Sequence, residues 1–195
     1  AASDVYKRQE MESVARTLEY AFDDRALARF AEQIGKSEEA AYFNEQSFNY
    51  KNVFDADICF VRGKTKEGKW RTPFAPLASS HRKDDYCEGN AWQWSFFVPH
   101  DVEGLAALMG GKERLAARLD SLFTMSSALE GDDVSGDISG LIGQYAHGNE
   151  PGHHTIYMYN KVGQLYKTQK YVNQVLTTLY LSLIHISEPT RQEAI

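Results

Sequence analysis

Two short stretches of the sequence concentrate the residue types that can bind a sugar. Residues 88–101 combine carboxylates, amides, indole rings and an imidazole, and residues 147–154 read HGNEPGHH. Neither stretch follows the period of an amphipathic helix or of an alternating strand. Glycine and proline interrupt both, which favours loops whose polar side chains gather around a cleft. An indole face packs on a sugar ring while carboxylates and amides bond to its hydroxyls, so the two stretches predict a carbohydrate site.

The elements that must position these stretches are predicted to be helical at the N-terminal side. From residue 11 to 34 apolar residues recur at helical spacing, and Gly35 is a natural C-terminal stop. A second helix opens at Ser37, and its short connection to the first predicts an antiparallel pair. Residues 59–62 and 69–72 flank a turn rich in glycine, lysine and glutamate, which predicts a small β-hairpin.

Helical patterns return in the second half of the chain. One face of residues 112–123 is apolar, which is typical of an amphipathic helix. Shorter helices are expected on either side of a polar loop at 126–139, and they cover residues 92–97, 102–109, 141–147, 153–160 and 164–180. The sequence therefore predicts a mainly α fold, a partial α/α (six-hairpin) toroid with a small β-hairpin insertion.

The composition argues against several classes of partner. The chain has 195 residues, of which 43% are hydrophobic, and this is enough for a packed core. Its net charge of −6 argues against binding to nucleic acid or to an anionic membrane surface. No apolar run is long enough to span a bilayer, so membrane insertion is not expected. Cys59 and Cys87 lie in neither a metal-binding nor a redox spacing and do not identify the compartment.

The two ends of the sequence are related to each other. Residues 4–9 can be encoded by a DNA string whose reverse complement encodes residues 181–186, as in a transposon-type sequencing adapter. We therefore interpret residues 1–9 and 181–195 as adapter-derived and exclude them from the fold prediction. Residues 10–180 are then the native part of the chain. The alternative is a genuine apolar helix at the C-terminal end.

Three segments carry a family resemblance. They are residues 13–35 (SVARTLEYAFDDRALARFAEQIG), 88–105 (EGNAWQWSFFVPHDVEGL) and 140–160 (GLIGQYAHGNEPGHHTIYMYN). They resemble glycoside hydrolase family 92, whose members are calcium-dependent α-mannosidases, and the resemblance extends over residues 11–180. It implies hydrolysis of α-mannosides, such as those of N-glycans or mannan, by an inverting mechanism.

An inverting mechanism needs two carboxyl groups. One protonates the glycosidic oxygen, and the other activates a water molecule on the opposite face of the sugar. The resemblance implies that Glu88 is the general acid, and partial desolvation by Trp92 and Trp94 would favour its protonated form. From the residues alone, a cap of the following helix is the favoured explanation of Glu88.

The resemblance also implies a calcium ion that binds two hydroxyls of mannose. Calcium takes oxygen ligands, and Asn149 and Glu150 are the implied ligands, with turn chemistry in the loop as the alternative. His153 and His154 are expected to contact the sugar or to fix the loop, and not to bind the metal, because a hard cation disfavours imidazole. A zinc site that also uses His147 is not expected, because the HExxH spacing is absent.

The first stretch supplies the other predicted sugar contacts. Asn90, Trp92 and Gln93 are candidate cleft residues, with packing of a short helix as the alternative. Packing is the preferred interpretation for three neighbouring aromatic residues, Trp94, Phe96 and Phe97. His100 and Asp101 are explained equally well as cleft residues and as a helix cap.

Part of the family's site is not found in this sequence. The family's general base is an aspartate in a segment of the type GN-(D/E)-D-x-G-Q-M, and no such segment occurs here. The family's N-terminal β-sandwich domain is expected as a partner. The resemblance therefore implies that residues 10–180 are an inactive fragment of the α/α-barrel catalytic domain of a secreted or periplasmic bacterial enzyme.

Two other interpretations remain open. Another α/α-barrel glycosidase, of trehalase or glucoamylase type, would differ from the family in having no need for calcium. A non-catalytic carbohydrate-binding or scaffold module would bind a sugar without turnover.

Overall fold

Helices make up most of the regular structure in the computed structural model, which describes residues 11–180. The interpretations of residues 1–9 and 181–195 lie outside the described residues. The described helices are α1 (Ser13–Gln33), α2 (Ser37–Gln46), α3 (Ala91–Trp94), α4 (Val102–Leu108), α5 (Lys112–Thr124), α6 (Met158–Lys161) and α7 (Leu165–Thr178). The prediction of a mainly α fold is confirmed. Between residues 11 and 180, no helix has both the length and the apolar character needed to cross a membrane.

Consecutive helices pack as pairs. α1 contacts α2, α4 contacts α5, and α6 contacts α7. The turn between α1 and α2 uses Gly35, whose φ of 75° is a left-handed conformation that glycine adopts without strain. The backbone N–H groups of Gly35 and Lys36 donate to carbonyls in the last turn of α1, at 3.2 Å and 2.8 Å, and so close the helix. Helical hairpins joined by loops are what the predicted partial toroid requires.

Three two-stranded sheets connect the helical parts within residues 11–180. Two are antiparallel, β1 (Phe54–Asp55) with β2 (Phe60–Val61) and β5 (Leu141–Ile142) with β6 (Tyr145–Ala146). The third is parallel, β3 (Ala78–Ser80) with β4 (Glu130–Asp133). The hairpin predicted for residues 59–72 is present as an antiparallel bridge between Lys64 and Trp70, although its first segment also supplies β2.

The predictions for the segment between α5 and α6 need correction. Residues 141–147 form the β5–β6 hairpin and not a helix, and the loop predicted at 126–139 contains β4. Apolar residues spaced as in 141–146 fit a helical turn as well as a hairpin with a two-residue turn. Gly143 decides between them, because its φ is 61° and a Cβ there would lie 2.2 Å from the carbonyl oxygen of Leu122. The helix predicted at 153–160 is a 3₁₀ turn (Thr155–Tyr157) followed by the short α6.

One apolar cluster joins the helices to the β1–β2 and β5–β6 hairpins. The ring of Phe123, on α5, lies 5.0 Å from the ring of Tyr145, on β6. The guanidinium of Arg118, also on α5, lies 4.0 Å from the ring centroid of Trp92 and 4.2 Å from that of Phe60. Helix α5 therefore packs against both of the elements that carry the polar stretches.

A fully buried glutamine lies in the turn of the β5–β6 hairpin. Gln144 is 0% exposed, and its Nε2 donates to the carbonyl oxygens of Ser126 and Ala128 at 2.7 Å and 2.9 Å. Its Oε1 accepts a hydrogen bond of 3.0 Å from Nδ2 of Asn90. Both polar atoms of the amide thus have partners, as burial requires. The hairpin is thereby tied to the loop after α5 and to the start of α3.

This network predicts a large cost for removing the Gln144 amide. Gln144→Leu removes three hydrogen bonds of a fully buried amide, and a hydrogen bond of this kind contributes about 0.5–1.5 kcal/mol to stability. Because neighbouring groups relax, we expect a net loss of about 3 kcal/mol in the free energy of unfolding, measured by urea denaturation of the 195-residue chain. Gln33→Leu, at the exposed end of α1, is the matched control and should change it by less than about 0.5 kcal/mol. Equal losses in the two variants would contradict the role given to this network.

Candidate active site

The two polar stretches meet at one pocket. Its lining consists of Glu88, Gln93, Trp94, Phe97, Leu122, Tyr145, Ala146, Asn149, Pro151, Gly152 and Thr155. The pocket is open to solvent, and its cavity volume of about 20 Å³ is room for about one water molecule. The described residues therefore form one wall of a site and do not surround a sugar ring.

Glu88 enters this pocket from a strained backbone. Its φ of 48° lies in the left-handed region, which costs a residue other than glycine about 1–3 kcal/mol. Its carbonyl oxygen accepts a hydrogen bond of 2.8 Å from Nδ2 of Asn149. The preceding carbonyl oxygen, that of Cys87, accepts one of 2.8 Å from Nε1 of Trp94. These two contacts fix the backbone at Glu88 between α3 and the second stretch.

Gly89 allows the close contact that follows Glu88. A Cβ at this position would lie 2.8 Å from Nε1 of Trp94 and 3.0 Å from Oε1 of Gln93. Any other residue would push the indole away and weaken its hydrogen bond to the Glu88 segment. The glycine after the carboxylate is therefore explained by packing.

Asn90 is the cap of a helix and does not line the pocket. Its Oδ1 accepts from the backbone N–H groups of Trp92 and Gln93 at 3.0 Å and 3.2 Å, and Oε1 of Gln93 accepts from the Asn90 N–H at 2.8 Å. This reciprocal capping box begins α3, so the capping role considered for Glu88 belongs to Asn90. Gln93 does line the pocket, and its Nε2 donates to the carbonyl oxygen of Gln144 at 3.1 Å.

The indole at the pocket is that of Trp94. Trp92 is 8% exposed, packs against Phe60 with ring centroids 5.0 Å apart, and is not part of the lining. Trp94 and Phe97 line the pocket, with their rings 5.2 Å apart, and both also pack on the core, as the sequence favoured, since Trp94 is only 4% exposed. On a four-residue helix the two indoles point to different sides, and the sequence does not say which side faces the pocket.

His100 and Asp101 lie outside the pocket lining. Asp101 is the N-cap of α4, where its carboxylate accepts from the Gly104 N–H at 2.9 Å and from Oη of Tyr50 at 2.7 Å. Nε2 of His100 donates to the carbonyl oxygen of Ser47 at 2.9 Å, and burial lowers the pKa of this imidazole below its usual value. The structure shows the helix cap at Asp101, whereas His100 bonds to Ser47, and contact with a sugar stays a prediction for both.

Asn149 and Glu150 lie next to each other beside the Glu88 backbone. Asn149 is buried, and because its Nδ2 is the donor to Glu88, its Oδ1 is the atom that can act as an acceptor or a metal ligand. Glu150 is exposed at the start of a 3₁₀ turn (Glu150–Gly152). Among residues 11–180, no group of three or more His, Cys, Asp or Glu side chains is placed to hold a metal. The two oxygens are therefore at most part of a calcium site, since calcium takes about six to eight.

The histidines of the second stretch hold its loop in place. Nε2 of His154 donates to the carbonyl oxygen of Phe96 at 2.7 Å, and burial lowers the pKa of His154, so the neutral ring makes this bond. His153 stacks on His147 with centroids 4.7 Å apart and donates from Nε2 to its carbonyl oxygen at 2.9 Å. His153 is exposed beside a neighbouring concavity of about 220 Å³, which shares Tyr145 with the Glu88 pocket. Of these two histidines, His153 is the one that a ligand can reach, and His154 holds the loop against the Phe96 carbonyl.

Two residues of the pocket region were not identified from the sequence. Gln144 braces α3, and Tyr145 lines the pocket while its Oη shares a hydrogen bond of 2.8 Å with Nδ1 of His147. A signal was present, because a glutamine amid apolar residues and glycine is unusual in a segment that must be buried. The partners of the amide, however, are distant in sequence and could not be inferred.

The chain resembles known carbohydrate-active proteins over most of its length. The sequence profile of the glycosyl hydrolase family 92 catalytic domain matches residues 3–184. A GH92 α-mannosidase from Bacteroides thetaiotaomicron, solved with mannoimidazole, has a TM-score of 0.80 at 39% identity over 87% of this chain and 23% of its own. A GH92 inverting mannosidase from the same bacterium has a TM-score of 0.72 at 36% identity, over 87% of this chain and 24% of its own. A protein of Arthroderma benhamiae described as an uncharacterized secreted glycosidase is 31% identical over 63% of this chain and 18% of its own.

The similarity covers most of this chain but a small part of each relative. The chain spans 18% of the curated relative and 23% and 24% of the two mannosidases. The matched range nevertheless includes both polar stretches, all the described helices and the whole pocket lining. This chain belongs to glycosyl hydrolase family 92, within the catalytic domain of that family.

Proposed function

We propose that residues 11–180 form one wall of the active site of an inverting α-mannosidase in which Glu88 is the general acid. The observation that carries this proposal is a carboxyl group on a strained backbone, beside a pocket lined by Trp94 and Phe97. The chain is also 39% identical to a mannosidase that was solved with mannoimidazole. The expected substrates are therefore α-mannosides, such as those of N-glycans or mannan.

Glu88 would supply the proton for the leaving group. Inverting glycosidases place a second carboxylate about 6.5–9.5 Å away, on the opposite face of the sugar, to activate water. Glu88 is the one carboxyl group among the described residues that line the pocket, so the base would come from outside residues 11–180. As the bond from C1 to the glycosidic oxygen breaks, the Glu88 proton passes to that oxygen and the alcohol leaves uncharged.

The groups around Glu88 would bind the sugar. Phe97 offers a partly exposed apolar ring, Trp94 offers the small part of its indole that reaches the pocket, Gln93 offers an amide, and His153 offers an accessible imidazole in the adjoining concavity. The other predicted sugar contacts are buried or bonded elsewhere, and we infer that they act by holding the helices and loops in place. These residues are Asn90, Trp92, His100, Asp101 and His154.

Asn149 and Glu150 are proposed to supply two oxygen ligands of a calcium ion. An amide oxygen and a carboxylate fit the preference of a hard cation. A bound calcium ion would supply positive charge that orients the sugar hydroxyls. Because Asn149 also donates to the Glu88 carbonyl, the same residue would join the ion site to the backbone of the acid.

The whole enzyme is proposed to extend beyond this segment. The chain corresponds to 22–24% of the length of the mannosidases it matches. The general base and the N-terminal β-sandwich domain of the family would complete the site. A secreted or periplasmic location is proposed because the curated relative is described as secreted.

Replacing Glu88 tests the acid role by its dependence on the leaving group. Residues 11–180 are grafted into the 39%-identical mannosidase in place of the aligned segment, and initial rates of mannoside hydrolysis are measured. Glu88→Gln keeps the size of the side chain and removes the transferable proton, so kcat for an α-mannobiose should fall about 10²–10⁴-fold. For 2,4-dinitrophenyl α-mannoside, whose leaving phenolate needs no proton, the fall should be less than about tenfold.

Glu103→Gln, on the exposed side of α4, is the matched control and should leave both rates within about twofold. If Glu88→Gln hydrolyses both substrates at the parent rate, Glu88 is not the acid. The ungrafted 195-residue chain should release no mannose. Turnover by this chain would contradict the proposal that the general base comes from outside residues 11–180.

A calcium titration of the same grafted enzyme tests the ion site. Glu150→Gln removes a charged ligand, so the calcium concentration that gives half-maximal activity after treatment with chelator should rise at least about tenfold. Activity at saturating calcium should be largely recovered, because the ion is still bound there. Glu130→Gln, exposed on β4, serves as the control. Identical titration curves for all three proteins would show that Glu150 is not a ligand.

A further inference from the structure

The segment from Asp84 to Glu88 is held by contacts from several elements, and Asp85 makes more of them than any other residue of the segment. We propose that Asp85 is a positioning residue that keeps Glu88 in its left-handed conformation, an inference that rests on the proposed role of Glu88 as the acid. Asp85 is not part of the pocket lining. It would therefore act through the backbone and not on the sugar.

The Asp85 carboxylate connects two elements that are far apart in sequence. Its Oδ1 accepts a hydrogen bond of 2.9 Å from Oγ of Ser13, at the start of α1, and one of 2.7 Å from Nη1 of Arg71, in the hairpin region. The Asp85 side chain is only 13% exposed. Hydrogen bonds to a carboxylate are about twice as strong as bonds between neutral groups, and limited exposure reduces their screening.

The main chain around Asp85 also caps α1. The Asp85 carbonyl oxygen accepts from the backbone N–H groups of Val14 and Ala15 at 3.0 Å and 3.2 Å, and that of Asp84 accepts from Glu12 at 2.7 Å. The N–H groups in the first turn of a helix have no partner within the helix. Glu12 provides no side-chain cap, so the Asp84–Asp85 backbone takes this role. The long helix α1 is thereby tied directly to the segment that carries Glu88.

Asp85 fits against the hairpin region because residue 63 is glycine. A Cβ at Gly63 would lie 2.2 Å from Oδ2 of Asp85 and 2.4 Å from its Cγ. The backbone N–H of Arg71 donates to the Gly63 carbonyl oxygen at 2.9 Å, so this region presents the glycine and the guanidinium together. The carboxylate is thus held by α1 on one side and by residues 63–71 on the other.

Two residues, Tyr86 and Cys87, connect Asp85 to Glu88. Oη of Tyr86 donates to the carbonyl oxygen of Val61 at 2.8 Å, and the Cys87 carbonyl oxygen accepts a hydrogen bond of 2.8 Å from Nε1 of Trp94. With both ends of this short stretch fixed, Glu88 keeps a conformation that costs about 1–3 kcal/mol. Removing the Asp85 side chain takes away its bonds to Ser13 and Arg71 but leaves the main-chain bonds of the segment, so we expect a small shift of the Glu88 carboxyl group.

The test uses leaving groups again, because loss of acid positioning and general loss of structure affect them differently. In the grafted enzyme, Asp85→Ala should lower kcat for an α-mannobiose about 10–100-fold, the effect of displacing a catalytic group by about 1 Å. The kcat for 2,4-dinitrophenyl α-mannoside should fall less than about threefold, with KM nearly unchanged for both substrates. Asp85→Asn keeps an oxygen for Ser13 and should recover part of the lost rate.

Two further variants accompany this comparison. Ser13→Ala removes one hydrogen bond and no charge, so it should fold and show the same selective loss at about threefold. If thermal unfolding shows that Asp85→Ala does not fold, the rates of the Ser13→Ala variant test the positioning role in its place. Asp57→Ala, an exposed aspartate between β1 and β2, is the matched control and should leave both rates unchanged.

The outcomes separate this inference from the proposal on which it rests. Equal losses on both substrates, or no loss on either, in the Asp85 and Ser13 variants would overturn the positioning role. If Glu88→Gln shows the leaving-group dependence and these variants do not, only the positioning role fails. If Glu88→Gln itself lacks that dependence, the acid assignment fails and the positioning role fails with it.

Discussion

The hydrogen bond between the side-chain amides of Asn90 and Gln144 is the contact on which the arrangement of the site depends. Both residues are 0% exposed, and 3.0 Å separates the donor from the acceptor. Asn90 begins α3 and Gln144 forms the turn of the β5–β6 hairpin, so this buried bond joins the first polar stretch to the hairpin that leads into the second, and the bond from Asn149 to Glu88 adds to it. A buried amide without its partner costs about 1–3 kcal/mol, which narrows the range of geometries that the two loops can adopt.

Helix α3 shows how packing and chemistry are divided between the faces of one short element. Trp92 is inserted into the core beside Arg118, whereas Gln93 and Trp94 reach the pocket. Four residues are too few to form a stable helix on their own. The capping box at Asn90 and the buried indole therefore give α3 its direction. Asn90 and Trp92, which do not line the pocket, therefore set the orientation of the residues that do.

The sequence predicts α5 and α7 best, because each displays several turns of a periodic pattern, whereas the apolar residues of α1 lie all around the helix and several, such as Leu27 and Phe30, are exposed. It fails at β5–β6, where a few apolar residues fit either a helix or a hairpin and a glycine contact with a distant helix decides. For the site, the residue types marked the correct two stretches, yet which indole faces the pocket depends on the orientation of α3. Contacts such as that between Ser13 and Asp85, 72 positions apart, arise only from tertiary structure.

The parallel pairing of β3 with β4 joins residue 78 to residue 130. The chain between them contains Glu88, α3, α4 and α5, and it is therefore a closed loop whose ends meet in a short ladder. Closing such a loop costs chain entropy that contacts formed inside it must offset. We expect α4 and α5 to pack before the ladder forms, since local contacts form faster than distant ones. Glu88 therefore lies inside a loop that is closed by a short ladder with one exposed strand, β4, and such a ladder is a place where the native structure opens locally.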